Sequence, residues 1–183
     1  PWIVASATAL QAIGLFVTVA VMVRTARRQL RAYVFPETCG ICEGMMLDPP
    51  QSDRANQPGV FLIFKNSGKT PAYKVTSWAQ IDVIEQINEN SLKVLAPIPA
   101  ISTFPLAADG TSSKALWFGR PLSAYEIADI SNGHRAIYVH GRVEYVDAFK
   151  AKRFTNFRVR YSGAFPPPPN VTFSFCERGN SAN

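Results

Sequence analysis

The first 23 residues contain no charged side chain, and this uncharged run constrains the fold more than any other feature. A helix rises about 1.5 Å per residue and the hydrocarbon core of a bilayer is about 30 Å thick, so roughly 20 apolar residues cross it. A basic collar follows at once, made of Arg24, Arg27, Arg28 and Arg31. We therefore predict a single transmembrane helix with this collar over residues 1–31, surrounded by membrane lipid.

Several residues of the run suit a membrane helix. Trp2 stands where an interfacial aromatic anchor is expected, and Gly14 with its small neighbours allows close packing against partner helices. Gln11 is the strongest polar group. The predicted membrane anchor consists of Trp2, Gly14, Phe16, Arg24, Arg27, Arg28 and Arg31.

Two other interpretations of the run stay open. A core helix of a soluble protein is usually shorter and carries a polar stripe. A secretory signal peptide needs basic residues before its apolar part and a small-residue cleavage site after it. Here the arginines stand where cleavage would occur.

The collar also predicts orientation. Lys and Arg residues close to the end of a membrane helix are retained on the cytoplasmic side, and all four arginines follow the apolar run. We predict a single-pass protein of a bacterial inner membrane, with its N-terminus outside and its remaining domain in the cytoplasm.

Residues 32–183 have the size of one domain with a sound core. Four of the 19 basic residues lie in the collar, which leaves 15 against 13 acidic residues, a net charge of +2. Such a nearly neutral domain disfavours nucleic acid as a partner. The collar is better explained by topology and by attraction to anionic headgroups.

Alternating apolar and polar residues predict a domain that is mainly β. We expect strands over residues 32–35, 59–65, 72–83, 92–95, 114–118, 135–147, 157–161 and 171–175, with a long loop over residues 36–58. Ser123 and Glu126 have capping-box spacing and predict one short helix that ends before Gly133. The predicted fold is an antiparallel immunoglobulin-like β-sandwich, and a small barrel is the alternative.

One turn between two predicted strands is unusually informative. Asn66, Gly68 and Pro71 form a structural turn in which Gly68 is free to take positive φ and Pro71 begins the next strand. The residues around Gly68 also suggest a phosphate-binding loop. That motif needs a glycine five positions earlier, where Ile63 stands, so we reject it.

Four segments carry a resemblance: residues 28–34 (RQLRAYV), 65–72 (KNSGKTPA), 141–149 (GRVEYVDAF) and 176–180 (CERGN). Together they resemble a group of uncharacterised bacterial membrane-anchored proteins with an N-terminal transmembrane helix, a QLRAYV-type junction and a C-terminal β-domain. The resemblance implies an anchor and a β-domain, and it implies no catalytic residues. The proline-rich segment with Cys39 and Cys42 is outside the pattern.

The three cysteines are weak metal candidates. Cys39 and Cys42 have the spacing of half a zinc site or of a redox pair, and Cys176 stands alone. A zinc site needs four ligands, and His134 and His140 are the other candidates. A disulfide within the predicted loop is a further alternative, but we predict inert thiols, no metal and no cofactor.

Two further clusters contain residue types that carry chemistry in other proteins. Ser131, His134 and Asp129 lie in one local turn rather than converging from distant segments, so we predict no enzyme and a solvated surface that includes His140. Phenylalanines interleave with basic residues near the C-terminus and suggest base stacking, but strand spacing makes them core. The basic residues form a possible interaction patch for lipid headgroups or an acidic partner: Lys150, Lys152, Arg153, Arg158 and Arg160.

These patterns predict a non-catalytic accessory or scaffold subunit that docks onto a larger membrane protein complex, with other membrane subunits and lipid as partners. The alternative is a free-standing, membrane-tethered β-module that binds a ligand or peptide at a sheet edge.

Overall fold

The computed structural model describes residues 2–42, 57–92, 103–165, 167–168 and 171–183. Its described part is mainly β, with antiparallel sheets, an N-terminal apolar helix and one further α-helix. The coarse fold prediction is therefore confirmed.

The N-terminal helix α1 spans Trp2–Leu30. By length and composition, Leu10–Leu30 is the stretch within the described residues that could cross a membrane, and no part of its apolar window is buried. A core helix would bury one face against the domain, so the core-helix interpretation finds no support.

The first sheet has three antiparallel strands, β1 (Val34–Cys42), β2 (Gly59–Asn66) and β5 (Thr111–Trp117), in the order β1-β2-β5. The predicted stop at Pro36 is wrong, because β1 continues through this proline to Cys42. Its register shifts between Pro36 and Thr38, and proline is tolerated on an edge strand or at a bulge. The rest of the predicted loop, residues 43–56, lies outside the described residues.

The second sheet contains the other strands: β3 (Ala72–Glu85), β4 (Phe104–Leu106), β6 (Arg135–Val146), β7 (Lys152–Tyr161), β8 (Ser174–Phe175) and β9 (Ser181–Ala182). Their order is β4-β3-β6-β7-β8, and β9 is also paired to β7. The strands predicted over residues 135–147 and 157–161 are confirmed as parts of β6 and β7, which form an antiparallel hairpin and pair from Ile137 with Tyr161 to Val146 with Lys152.

The start of β3 departs from simple alternation. Alternation along a strand would place Tyr73, Val75 and Ile81 on one face. Val75 and Ile81 are buried, but Tyr73 is exposed. Lys74 has a φ of 50°, and the register shifts between Tyr73 and Thr76. This bulge moves Tyr73 out of the inward-facing set.

The main core lies between the two sheets. It includes Leu62 and Phe64 from the first sheet, and Val139, Phe157 and Val159 from the second. A smaller cluster of Ala136, Tyr138 and Cys176 lies on the opposite, outer face of the second sheet. Both faces of β6 are therefore packed.

A short 3-10 helix, Gln86–Ser91, accounts for that outer packing. Leu92, which follows it, packs on the outer cluster. The sequence predicted a strand at 92–95 instead; Leu92 is not in a strand, and the remaining positions lie outside the described residues.

The predicted capping box is confirmed at the start of α2 (Ala124–Ser131). Ser123 accepts a hydrogen bond from the Glu126 backbone, and the Glu126 carboxylate accepts from the Ser123 backbone. Arg120 also binds this carboxylate through two nitrogens and is the main reason that its pKa falls to about 2. Gly133 follows the helix with a φ of 77°, as its position suggested.

Candidate functional site

The junction between α1 and β1 is the candidate functional site, because a candidate membrane helix joins the domain there through three residues. α1 ends at Leu30, and β1 begins at Val34. Ala32 between them is fully buried. The domain is thus tied to the helix by a segment that is itself part of the core.

Asn66 holds this segment. Its side-chain oxygen accepts hydrogen bonds from the backbone N–H groups of Tyr33, at 3.1 Å, and Gly68, at 3.0 Å. The Tyr33 carbonyl in turn accepts from the Ser67 N–H at 2.9 Å. The Asn66 amide nitrogen donates to three backbone carbonyls, those of Thr70, Leu106 and Ala107.

Gly68 is required for space and not for its φ. The turn leaves Gly68 free to take positive φ, but it is not among the glycines with that conformation. A Cβ at Gly68 would lie 2.2 Å from the carbonyl oxygen of Arg31 and 2.5 Å from the Cα of Ala32. These are backbone atoms, so the close approach of the turn to the junction depends on the absent side chain. Pro71 is half-buried just before β3.

The β6–β7 hairpin holds the same segment from another side. The Tyr145 hydroxyl donates to the Ala32 carbonyl at 3.2 Å and accepts from the Val34 N–H at 3.4 Å. Burial raises the pKa of Tyr145. The Thr155 hydroxyl donates to the Val34 carbonyl at 2.6 Å. Three distant parts of the chain therefore fix the first residues after the helix.

Three of the four segments that carry the family resemblance meet at this junction. They supply the connection itself, Asn66 with Gly68, and Tyr145. The fourth segment lies beside β7, where Asn180 accepts a hydrogen bond from the Arg158 N–H. The resemblance itself stays a prediction.

The predicted anchor residues are distributed along α1. Trp2 is its first residue, Phe16 is exposed, and Gly14 has no atom within 4 Å of the position of an added Cβ. In the collar, the Arg27 guanidinium lies 5.9 Å from the centre of the Phe149 ring, and Arg31 lies 4.4 Å from that of Tyr33. Arg24 and Arg28 are exposed.

The predicted basic patch is not one surface. Alternate residues of a strand point to opposite faces, so Arg153 lies on the other face of β7 from Arg158 and Arg160. Arg158 is 5% exposed and donates to the carbonyls of Glu89 and Leu92. Arg160 lies 3.4 Å from the Glu89 carboxylate. Of the set, only Lys150 and Lys152 are exposed.

Arg153 instead belongs to the turn between β6 and β7. It lies 3.0 Å from Asp147, whose other carboxylate oxygen accepts from the N–H groups of Phe149 and Ala151. Asp147 is buried, and Lys150 has a φ of 66°. This network shapes the hairpin end next to the collar.

The structure separates the cysteines. Cys39 lies in the main core and Cys176 in the outer cluster, while Cys42 is the last residue of β1. Burial raises the pKa of Cys176 to about 12, and the nearby Glu89 adds to the shift. Within the described residues, no three His, Cys, Asp or Glu side chains are grouped to hold a metal.

The local turn considered for catalysis contains a loose contact. His134 Nδ1 lies 3.8 Å from Asp129, which also pairs with Arg135 at 3.1 Å. His134 and Ser131 are exposed. Asp129 is thus engaged by the arginine that begins β6.

The sequence interpretation missed the environment of His140. It was assigned to a solvated surface, but it is 1% exposed, and its Nε2 lies 2.7 Å from Asp82 Oδ2. This hydrogen bond is the main reason that the pKa of Asp82 is lowered. His140 pairs with Gln80 of β3, and Asp82 lies two residues further along that strand on the same face. This register depends on the pairing of two strands that lie far apart in the sequence, so no local signal reveals it.

Comparison of the chain with protein-family descriptions, with curated proteins and with solved structures finds no match.

Proposed function

We propose that this chain is a non-catalytic, single-pass accessory or scaffold subunit that docks onto a larger membrane protein complex through its helix and its β-domain. The observation that carries the proposal is the junction. A membrane helix joined by a flexible linker would leave its domain free to turn, whereas Asn66, Gly68 and Tyr145 fix the connection. Such a connection suits a protein that holds a domain in place beside a membrane.

The exposed helix supports docking. The described side chains from Leu10 to Leu30 are exposed, so the helix face is available to lipid or to partner helices. Around Gly14 the surface is open, and small residues let helix backbones approach closely. We place the protein in a bacterial inner membrane with its domain in the cytoplasm, on the strength of the four collar arginines.

An immunoglobulin-like sandwich also belongs to the proposal. It is supported by the pairing of β1, β2 and β5 in one sheet and of β3, β6 and β7 in the other. This arrangement corresponds to strands A, B and E against C, F and G of immunoglobulin domains.

A free-standing binding module is the second candidate, and an open strand favours it. β5 stands at the end of the first sheet in the described part of the chain, so its outer edge is available to an added strand. A peptide bound there would extend the sheet without using the helix.

Purification in mild detergent from a bacterial host of the native type, followed by mass spectrometry, tests the proposal. We expect stoichiometric membrane subunits to co-purify with the full chain. Recovery of a lone monomer would contradict the scaffold function. Recovery of a soluble peptide ligand alone would favour the binding module.

Orientation has a separate test. Because Cys39 and Cys176 are buried, a reporter cysteine is better placed at Ala128, which is exposed on α2. We expect an impermeant maleimide to label Ala128→Cys only after the inner membrane is permeabilised. Labelling in intact spheroplasts would overturn the cytoplasmic placement.

A further inference from the structure

A groove lies between α1 and the turn of the β6–β7 hairpin. Its volume is about 760 Å³, and it is lined by one face of the helix and by Phe149, Ala151 and Arg153. The groove therefore lies between the candidate membrane helix and the part of the domain next to it, the turn between β6 and β7.

The two ends of the groove differ in chemistry. The end nearer the middle of the helix is apolar and is lined by Phe16, Val19, Ala20 and Val23. The end nearer the domain is basic and is lined by Arg24, Arg27, Arg28, Arg31 and Arg153. The lining contains no acidic side chain.

The helix arginines are available for a ligand. Among the described residues, Arg153 has an acidic partner, Asp147, whereas none of the four collar arginines forms an ion pair. Arg27 is positioned over Phe149, which places its charge at the groove. Arginine binds phosphate oxygens through two parallel hydrogen bonds.

We infer that this groove binds one anionic phospholipid, with its phosphate among the collar arginines and an acyl chain along the apolar half. The inference rests on the proposed membrane anchor, and it adds a defined ligand site. In that orientation the collar lies on the cytoplasmic leaflet, where anionic lipids concentrate.

The apolar half decides between a lipid and other anions. Inorganic phosphate would use the arginines and leave Phe16, Val19 and Val23 exposed to water or hydrocarbon. A phospholipid can fill both halves, because its phosphate would lie at the basic end of the groove while its acyl chain lies along the apolar end. The lipid is thus the occupant that matches the whole lining.

Native mass spectrometry of the full chain in dodecyl maltoside tests the site. The protein is incubated with equal amounts of phosphatidylglycerol and phosphatidylcholine. We expect one phosphatidylglycerol per chain, favoured about tenfold or more over phosphatidylcholine, because several arginines contribute to phosphate binding. Equal retention of the two lipids would overturn the site.

Charge variants separate a site from general attraction. Arg24→Gln with Arg27→Gln should lower retention of phosphatidylglycerol about tenfold or more. Lys69→Gln with Arg178→Gln removes the same charge from exposed positions outside the groove lining, and should change retention less than about twofold. Equal losses in the two double variants would indicate a diffuse surface effect and overturn the inference.

A neutral variant tests the apolar half. Ala20→Trp fills the groove without changing charge and should also reduce retention. Met22→Trp is the matched control, since two helix positions turn the side chain by about 200° away from the groove. Unchanged retention in Ala20→Trp, or displacement of phosphatidylglycerol by excess inorganic phosphate, would overturn the lipid assignment.

Membrane fractionation keeps this failure apart from that of the proposed function. If the groove variants stay in membranes with their partner subunits and still retain as much phosphatidylglycerol as the wild type, the lipid site is overturned and the proposed function is not. If they keep their lipid but lose a partner protein, the groove is a protein interface instead. A wild-type chain found in the aqueous fraction would remove both the anchor and the lipid site.

Discussion

Asn66 and His140 are both buried polar side chains, but they differ in how many of their polar atoms have partners. Asn66 is fully buried and takes part in five hydrogen bonds, all to backbone groups. His140 is almost as buried, yet Nδ1 of its ring has no hydrogen-bond partner among the described residues. A satisfied buried network fixes a unique geometry, whereas a partly satisfied one contributes less stability.

The difference also concerns the partners that each side chain would leave behind. The groups bonded to Asn66 belong to the junction and to neighbouring turns, which cannot move without moving the helix connection. Asp82, the partner of His140, has a side chain that is 28% exposed and can turn to water. The comparison therefore indicates that the junction is the more sensitive of the two regions.

The largest expected effect is that of Asn66→Ala. It leaves the buried N–H group of Gly68 and the part-buried N–H group of Tyr33 without their acceptor, and an unsatisfied buried group costs about 1–3 kcal/mol. The substitution also removes the amide donor to three backbone carbonyls. We expect the free energy of unfolding to fall by about 3 kcal/mol or more. Chemical denaturation of the full chain in mild detergent measures it.

Asn88→Ala is the matched control for this variant. Asn88 is exposed, and its side chain bonds only to the Glu85 side chain among the described residues. Its loss should change the free energy of unfolding by less than about 0.5 kcal/mol. Similar losses of stability in the two variants would contradict the comparison, because the junction would then be no more sensitive than an exposed surface position.

Gly68→Ala has the next largest expected effect. The added Cβ would collide with backbone atoms of Arg31 and Ala32, so the turn and the junction must separate. We expect a loss of about 2 kcal/mol in the free energy of unfolding. Gly119→Ala should be nearly neutral, since nothing lies within 4 Å of its Cβ position. A neutral Gly68→Ala would show that the close approach does not constrain the junction.

The strands were predictable where local pattern decides them. Residues 135–147 and 157–161 alternate apolar and polar side chains in sequence, and they mark β6 and the second half of β7. The Ser123 cap likewise has a local signal that tertiary contacts do not change. The continuation of β1 through Pro36 was missed because an edge position, which only the sheet order defines, makes the proline tolerable. The bulge at Lys74 has no comparable signal in its residue type.

The sequence predicts separate parts of the candidate site, but it does not predict that these parts are in contact. Asn66 and Gly68 were predicted to form a turn, and the collar was interpreted as a topology determinant. Their contact joins residues 33 positions apart, and Tyr145 joins the same segment from 113 positions away. His140 was misplaced for a related reason. No sequence pattern predicts the 3-10 helix that crosses the outer face, and without this helix that face would be solvated.

The smallest expected effect is that of His140→Leu, and its pH dependence sharpens the comparison. At neutral pH we expect a loss of about 1 kcal/mol, because Asp82 exchanges one hydrogen bond for water. The hydrogen bond from His140 lowers the pKa of Asp82 below its ordinary value of 3.8. Its contribution is therefore present above the pKa of the unfolded state and is lost as pH falls through the folded value.

The difference in stability between wild type and His140→Leu should accordingly shrink as pH is lowered from about 5 toward 3. His140→Gln is the matched variant, because its amide nitrogen can donate from nearly the position of Nε2 and should keep most of the neutral-pH stability. A His140→Leu loss as large as that of Asn66→Ala would mean that partner satisfaction does not distinguish the two regions. If the difference in free energy of unfolding between wild type and His140→Leu stays constant from about pH 5 to about pH 3, the hydrogen bond to Asp82 is not the cause of that difference.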